Sequence, residues 1–342
     1  LLEEEAVSIK QVAGVAGVSI ATVSRVVNGS GPVAPETRKR VLEAVAALGY
    51  TPHAGARSLA SRRTETLAFV LPEISGHFYS QLLRGAEIAA RQAGYQLLVS
   101  GFHGSAAEMR KALRAIRGRV DAAVVMWPEA AYELLEESLP PKLPVLLLSP
   151  SGRADSPCLA VDNRGGAEQA VRHLLALGHK VLAHVTGPEQ NLDARERREA
   201  FWEVLRGAGL AQNGVELPGD FTEDSAPALA ARLLGLRPRP TAVFAANDAM
   251  ALGLLLHLQK LGIRVPGDLS LVGFDDIPLA RLVQPPLTTV QAHIETLGSR
   301  AVSRLVELLS QKPSRKGLEL LPTQLVVRGS TAPPERSGNR GF

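Results

Sequence analysis

A guanidinium (Arg197), an amide (Asn247) and a carboxylate (Asp275) each lie close behind an apolar run of this sequence. Asn247 follows the run 242–246, and Asp275 follows 269–274. Gly187-Pro188 ends another run, and the segment from Asn191 and Asp193 to Arg197 opens a helix behind it. Ser75-Gly76-His77-Phe78-Tyr79 follows the first such run and opens a helix of its own. A guanidinium presents a fork of donors suited to vicinal hydroxyls or a carboxylate. An amide both donates and accepts, a carboxylate accepts, and the N–H groups at helix starts bond oxygens. The chemistry implied is recognition of a polyhydroxyl molecule, not bond making. Competing roles are core packing for Phe78 and Tyr79, and helix capping for Asp248 and Asp276.

Catalytic signatures are missing from the sequence. It contains no phosphate-cradling glycine loop and no Gly-x-Ser-x-Gly elbow, and its eight histidines show no metal-ligand spacing. The lone Cys158 excludes a disulfide framework or a multi-cysteine zinc site and reads as a small buried hydrophobe. His179, after Leu177-Gly178, reads as a capping residue at a helix end. No catalytic residue, metal site or cofactor is expected, so the chain is not expected to be an enzyme.

Apolar runs at 67–71, 96–99, 122–126, 145–148, 181–185, 242–245 and 269–272 alternate with amphipathic stretches at 78–93, 166–177, 195–208, 248–261 and 294–309. Strands alternating with helices imply parallel sheets covered on both faces. This region is too long for one ordinary open sheet. Two Rossmann-like lobes, with ligand between them at the carboxyl ends of the strands, fit it. That placement brings the candidate residues together.

Ahead of this α/β region lies a different pattern. Ser8 caps a helix with Ile9, Val12, Ala13 and Ala16 on one face, and Gly17 breaks it. Ser19 caps a second helix, with Ile20, Val23 and Val27 inward and Ala21, Arg25 and Asn28 outward. A third, from about Pro35, buries Val41, Leu42, Val45 and Leu48. Two short helices across a tight turn make a helix-turn-helix. Residues 6–63 hold eight Lys and Arg against Glu36 and Glu43, whereas the rest of this +4 chain is nearly neutral. A basic head on a neutral body fits a polyanion-binding module. With 45% apolar and 21% charged residues the chain is globular, and no apolar run is long enough to span a membrane. The acidic start lacks a hydrophobic signal core, so a cytoplasmic protein is expected.

The segments Ser8-Ile9-Lys10-Gln11-Val12-Ala13 and Gly17-Val18-Ser19-Ile20-Ala21-Thr22-Val23-Ser24-Arg25-Val26-Val27-Asn28-Gly29 resemble the headpiece of the LacI/GalR transcriptional regulators. Leu48-Gly49-Tyr50-Thr51-Pro52 and Ala56-Arg57-Ser58-Leu59 continue the resemblance, which extends to about Pro334. It implies an α/β protein with a helix-turn-helix headpiece at 6–52, a hinge helix and linker at 53–63, and an effector-binding core at 64–331. The core would have two lobes of periplasmic-binding-protein type, 64–162 with 292–322 and 163–289 with 323–331, followed by a disordered tail at 332–342. It further implies a homodimer bound to pseudo-palindromic operator DNA. Ser19, Ile20, Ala21, Thr22, Ser24, Arg25 and Asn28 would meet the DNA from the second helix, and Ala56, Arg57 and Leu59 from the hinge. Arg197 matches the family's effector-binding arginine, and Phe221 its aromatic platform. With His77, Phe78, Tyr79, Asn191, Asp193, Asn247 and Asp275 they make the expected effector site. The Asn247-Asp248 pair accompanies sugars in the lactose repressor-like branch of the family and differs in its purine-binding branch. A sugar or sugar derivative is therefore the expected effector ahead of a purine or other metabolite, and a repressor the expected activity, with a sugar-binding transport receptor as the alternative. Gly76-His77, His53 and Gly55 depart from the usual pattern.

Overall fold

The computed structural model describes residues 7–50, 63–126, 132–149, 156–310 and 317–335. Ala56, Arg57 and Leu59 therefore lie outside the described residues, as does most of the expected hinge. The chain divides into an N-terminal compact unit and a larger α/β unit from Thr66 onward.

The N-terminal unit is a three-helix bundle: α1 (Ile9–Ala16), α2 (Ile20–Asn28) and α3 (Pro35–Leu48). Ser8 and Gln11 form a reciprocal capping box on α1, and the Ser19 hydroxyl accepts from Thr22 N to cap α2. Gly17, Gly29 and Gly49 end the three helices in left-handed conformation, where glycine costs least. Val12, Ala13, Ala16, Val23, Val26, Val41 and Ala44 make the core. Two expectations fail here. Ile20 is 44% exposed and Leu42 50% exposed, with Val26 and Ala44 taking the interior positions. So small a bundle buries only a narrow stripe of each helix, which leaves apolar side chains beside the stripe in water.

The larger unit contains two six-stranded sheets. The first comprises β1 (Thr66–Leu71), β2 (Gln96–Gly101), β3 (Ala122–Met126), β4 (Val145–Leu148), β5 (Pro157–Val161) and β11 (Gly317–Leu321), in the order β11-β5-β4-β3-β1-β2. The second comprises β6 (Leu182–Thr186), β7 (Gly214–Pro218), β8 (Ala242–Ala245), β9 (Ser270–Asp275), β10 (Thr288–Gln291) and β12 (Gln324–Val326), in the order β12-β10-β9-β8-β6-β7. Pairing is parallel throughout except between β10 and β12. Central strands β3 and β9 are buried at every position, as parallel strands covered on both faces must be.

Helices α4 (His77–Gln92), α5 (Ala106–Ala115), α6 (Tyr132–Ser138) and α11 (Ile294–Leu309) serve the first sheet. Helices α7 (Asn163–Ala176), α8 (Leu192–Gly207), α9 (Ala226–Gly235) and α10 (Asp248–Lys260) serve the second. Gly85 and Gly298 let α4 and α11 meet backbone to backbone, since a Cβ at either would strike the other helix's carbonyl.

The chain passes between the sheets near residue 162, after β10 and after β11. Two of these crossings are tied together: Asp162 N donates to Leu321 O at 2.9 Å, and Thr323 Oγ1 to Asp162 O at 3.0 Å. Residues 332–335, expected in a disordered tail, are anchored instead. Ala332 O accepts from Ser270 Oγ at 2.9 Å and lies 2.9 Å from His179 Nε2. His179 is accordingly not a cap. Its buried ring also meets Thr241 Oγ1 at 2.9 Å, linking strand starts of the second sheet to the C-terminal segment.

Candidate functional site

The first candidate surface is α2. Its sequence forms a helix because Ser19 supplies the N-terminal cap and Gly29 the stop, and Val23 and Val26 fix its orientation by burial. Ile20, Ala21, Arg25 and Asn28 are thereby exposed. The hydroxyls on this helix are already engaged. Ser19 Oγ lies 2.9 Å from Thr22 Oγ1, and Asn28 Nδ2 donates to Ser24 Oγ at 3.1 Å. Arg25 makes no side-chain hydrogen bond or ion pair among the described residues. Arg40 differs: its Nη2 donates to Ala16 O at 2.5 Å and Gly17 O at 3.2 Å, capping the carbonyl end of α1. Not all of the basic charge of this unit is thus open to a partner.

The second candidate site is the cleft between the two sheets. In each sheet the chain turns one way after the first strand and the opposite way after the second, creating a switch point at β1/β3 and another at β6/β8. Ligands of open α/β sheets bind outside such points, where helices on opposite faces leave a crevice. Tyr79 enters from α4 behind β1, and Ser149 from the end of β4. Arg197 comes from α8 behind β6, Asn247 from the end of β8, and Asp275 from the end of β9.

Arg197 is 4% exposed and thoroughly bonded. Its Nε donates to Asn163 Oδ1 at 2.9 Å and its Nη1 to Ala246 O at 2.5 Å, and its Cζ lies 3.7 Å from the centroid of the Phe274 ring. Asp275 Oδ1 is 3.7 Å from Arg197 Nη1, an ion-pair distance without a hydrogen bond, and this buried oxygen finds no partner. Asp275 also has φ 115, a backbone conformation that residues with a Cβ rarely adopt. Burial pushes its carboxyl up to about 7, with Arg197 opposing and Asp193 reinforcing the shift.

Asn163, at the start of α7, joins this pair to Asp193. Its Nδ2 donates to Asp193 Oδ1 at 2.8 Å, while Ser149 Oγ donates to Asp193 Oδ2 at 3.3 Å. Ser149 belongs to the first lobe and Asp193 to the second, so this contact bridges the cleft directly. Tyr79 is held protonated well above its usual range by burial and by the charges of Asp193, Glu73 and Asp275. Its phenol therefore remains a neutral donor.

The remaining candidates have structural partners. Asn191 Oδ1 caps α8 at Ala194 N at 3.0 Å. Asn247 caps α10 through Oδ1 at Met250 N at 3.0 Å, and its Nδ2 donates to Phe221 O at 2.9 Å. Phe221 has φ 68, and its ring rests against Gly187, where any Cβ would collide with it. Phe78 and Tyr79 meet edge to face at 5.2 Å between centroids, and His77 is exposed. Asp248 is not a cap. It is fully buried, takes Ile277 N at 2.9 Å and Thr289 Oγ1 at 2.5 Å, and is pushed well up, first by burial and then by Asp275.

Sequence reasoning missed Asn163, Ser149 and Asp248 as parts of this network. Asp162-Asn163, directly behind the apolar run 158–161, was the available signal for the first. Nothing local marked Ser149. His184 was also missed. It is fully buried beneath α8, stacked on Phe201 and Phe244 at 5.1 and 4.9 Å, and burial holds it down to about 4.

Comparisons with known proteins bear on both regions. Residues 8–53 match the model for bacterial regulatory proteins of the lacI family, and residues 171–331 that for a periplasmic binding protein-like domain. The chain is 35% identical to catabolite control protein A of Priestia megaterium, over 95% of this chain and 99% of that protein. It is 34% identical to the ribose operon repressor of Halalkalibacterium halodurans, over 97% and 99%. Among solved structures, the lac repressor dimer bound to operator and the anti-inducer ONPF superposes with a TM-score of 0.88 at 30% identity, over 96% of this chain and all of that one. The complex of the transcriptional regulator CelR with cellobiose superposes with a TM-score of 0.71 at 32% identity, over 95% and 99%.

Proposed function

The chain belongs to the LacI family of bacterial regulatory proteins, and from that premise we propose how its two candidate surfaces divide the work of a dimeric, sugar-controlled transcriptional repressor. Two copies pair, and each places α2 in the major groove of one half of a pseudo-palindromic operator. Arg25 reads guanine, Ile20 and Ala21 touch base edges at the start of the helix, and Thr22, Ser24 and Asn28 lie against phosphates. A sugar enters the cleft and bonds to Arg197, Asp275, Asn247 and Tyr79, with Phe221 and Phe78 against its apolar faces. Asn191 and Asp193 hold that wall in shape, and His77 borders the entrance. Occupancy changes the relative position of the lobes and, through residues 53–63, the affinity for operator.

The observation that carries this reading is that a single chain has both an uncommitted arginine on an exposed helix and a buried arginine–carboxylate pair in the second-lobe wall of the cleft. The ribose, cellobiose and lac regulators among its relatives make a sugar the first class to test. We assign residues 6–52 to the headpiece, 53–63 to the linking segment and 64–331 to the core, with the second lobe extending to at least 335. The protein acts in the cytoplasm as a regulator rather than as an enzyme. Among the described residues no helix is long and apolar enough to cross a membrane.

The test is selection of genomic fragments by the purified protein at graded salt, repeated with a panel of sugars and purines. A shared pseudo-palindrome whose retention changes with one sugar is the expected result. Recovery of no common sequence would overturn the operator assignment, and a response to a purine alone would overturn the sugar.

A further inference from the structure

The cleft sets three carboxyl groups, of which burial pushes that of Asp275 up to about 7, against one guanidinium. Asp275 and Asp193 are both more than nine-tenths buried in its second-lobe wall, and Glu73 stands on the first-lobe side. Of the buried arginines among the described residues, Arg304 pairs with Glu307 at 2.7 Å and Glu319 at 3.5 Å, on α11 and β11. Arg197 alone faces the cleft carboxylates. Much of its donor capacity is spent on Asn163 and Ala246, leaving Nη2 for a ligand.

Helix N-termini are the other places where such a crevice could hold an anion. Here each of those positions has a carboxyl group beside it, and Asn191 and Asn247 cap two of them. The first turn of α8 already holds the buried carboxylate of Asp193, and the first turn of α10 that of Asp248. Ahead of α4 stands Glu73, whose Oε1 accepts from Ile74 N at 2.8 Å and Ser75 N at 3.2 Å, so a carboxylate precedes the uncapped first turn of that helix. What remains unmet is the need for a donor. Asp275 Oδ1 is buried without a hydrogen-bond partner, and a hydroxyl group would supply one.

We propose that this cleft selects uncharged polyols and rejects the anionic forms of the same sugars, their phosphate esters and their acids. The proposal rests on the sugar reading above and narrows it. A phosphate or carboxylate docked on Arg197 would stand beside Asp275 and Asp193 in a water-poor site, where like charges repel strongly. A neutral polyol would instead use Asp275 Oδ1 as acceptor and the Tyr79 hydroxyl and Arg197 Nη2 as donors.

The experiment is calorimetric titration of the full chain with matched pairs: ribose and ribose 5-phosphate, galactose and galactose 6-phosphate, glucose and glucuronate. The neutral member of at least one pair should bind about 100-fold or more tightly than its anionic partner. Asp193→Asn should narrow that ratio by about tenfold, whatever it does to the neutral sugar alone. If the variant misfolds, Glu73→Gln on the exposed rim should narrow the ratio in the same direction. Equal or tighter binding of a phosphate or acid would overturn the proposal while leaving the sugar reading intact. Binding by no member of any pair, with a purine base bound instead, would overturn both. An unchanged ratio in both folded variants would overturn the electrostatic cause.

Discussion

Arg25 and Arg197 are the same side chain put to opposite uses. Arg25 stands on an exposed helix with no protein partner among the described residues, whereas Arg197 is 4% exposed and bonded to Asn163, Ala246 and, electrostatically, Asp275. The targets proposed for the two arginines account for the difference. A nucleic acid brings its own charge and its own rigid edges, so a mobile, hydrated guanidinium is an adequate reader. A small polyol brings neither, so the protein must fix its donors beforehand and bear the cost of burying them. The headpiece arginine can therefore be lost without harm to the fold, and the cleft arginine cannot.

The largest effect should come from Arg197→Ala. It strands the buried Asp275 and Asn163 and should lower unfolding free energy by about 3–5 kcal/mol, read by chemical denaturation. At temperatures where the variant stays folded, it should still bind operator but give no response to sugar. A variant that is destabilised yet answers sugar at the normal concentration would make Arg197 only a structural bridge and break the comparison.

Next comes acid sensitivity, which should belong to the core alone. Burial holds His184 down to about 4, below its unfolded value near 6.5. As pH falls through that window the unfolded chain takes up the proton first, so stability is lost progressively. The loss is fully developed near pH 4, at about 3 kcal/mol. Asp275 works in the opposite sense. Its folded value of about 7 lies above the unfolded one, so its cost is complete above pH 7 and is relieved on acidification. His184→Phe keeps the aromatic stack and removes only the first of these, so the variant should lose less stability between pH 6.5 and 4 than the parent. Residues 7–50 contain no histidine, so the headpiece should unfold without this dependence. Identical pH profiles for parent and variant would show that His184 titrates normally.

Arg25→Ala should weaken operator binding by about 1–3 kcal/mol and relax one base position in each half-site. Sugar affinity and thermal stability should stay as they were. A binding-site selection measures both at once, and an unchanged sequence preference would move base reading to other side chains of α2.

The two regions also differ in how much of them the sequence disclosed. The headpiece was legible because its determinants are local: Ser8 to Gln11, Ser19 to Thr22, and a glycine after each helix. Only the edges of its buried stripe were misplaced, at Ile20 and Leu42. In the core, central strands such as 122–126 announced themselves as continuous apolar runs. The edge strands β11 and β12 did not, because they are short, half-exposed and paired with segments distant in the chain. In the candidate site, residue type behind the strands singled out Arg197, Asn247 and Asp275, and the fold sets Arg197 3.7 Å from Asp275. Its wiring was not legible, since Asn163 meets Arg197 across 34 positions and Ser149 meets Asp193 across 44. Pairing at such separation leaves no mark on local periodicity.

The smallest effect belongs to a third arginine, one residue beyond Arg197. Arg198 points outward from α8, with its side chain 46% exposed, and its Nε donates to Glu216 Oε1 at 2.6 Å. Glu216 also accepts from Trp202 Nε1, so removal of Arg198 leaves no buried group without a partner. An exposed pair of this kind is weakened by water, by salt and by the entropy of holding two long side chains. Arg198→Ala should therefore change stability by no more than about 1 kcal/mol, and a double-mutant cycle with Glu216→Gln should give a coupling that fades as salt is added. Sugar affinity should not move. Adjacent arginines on one helix would then differ in cost several-fold, with burial and partners as the cause. A loss at Arg198 as large as that at Arg197 would mean that helix α8 as a whole, and not the buried guanidinium, supports the cleft.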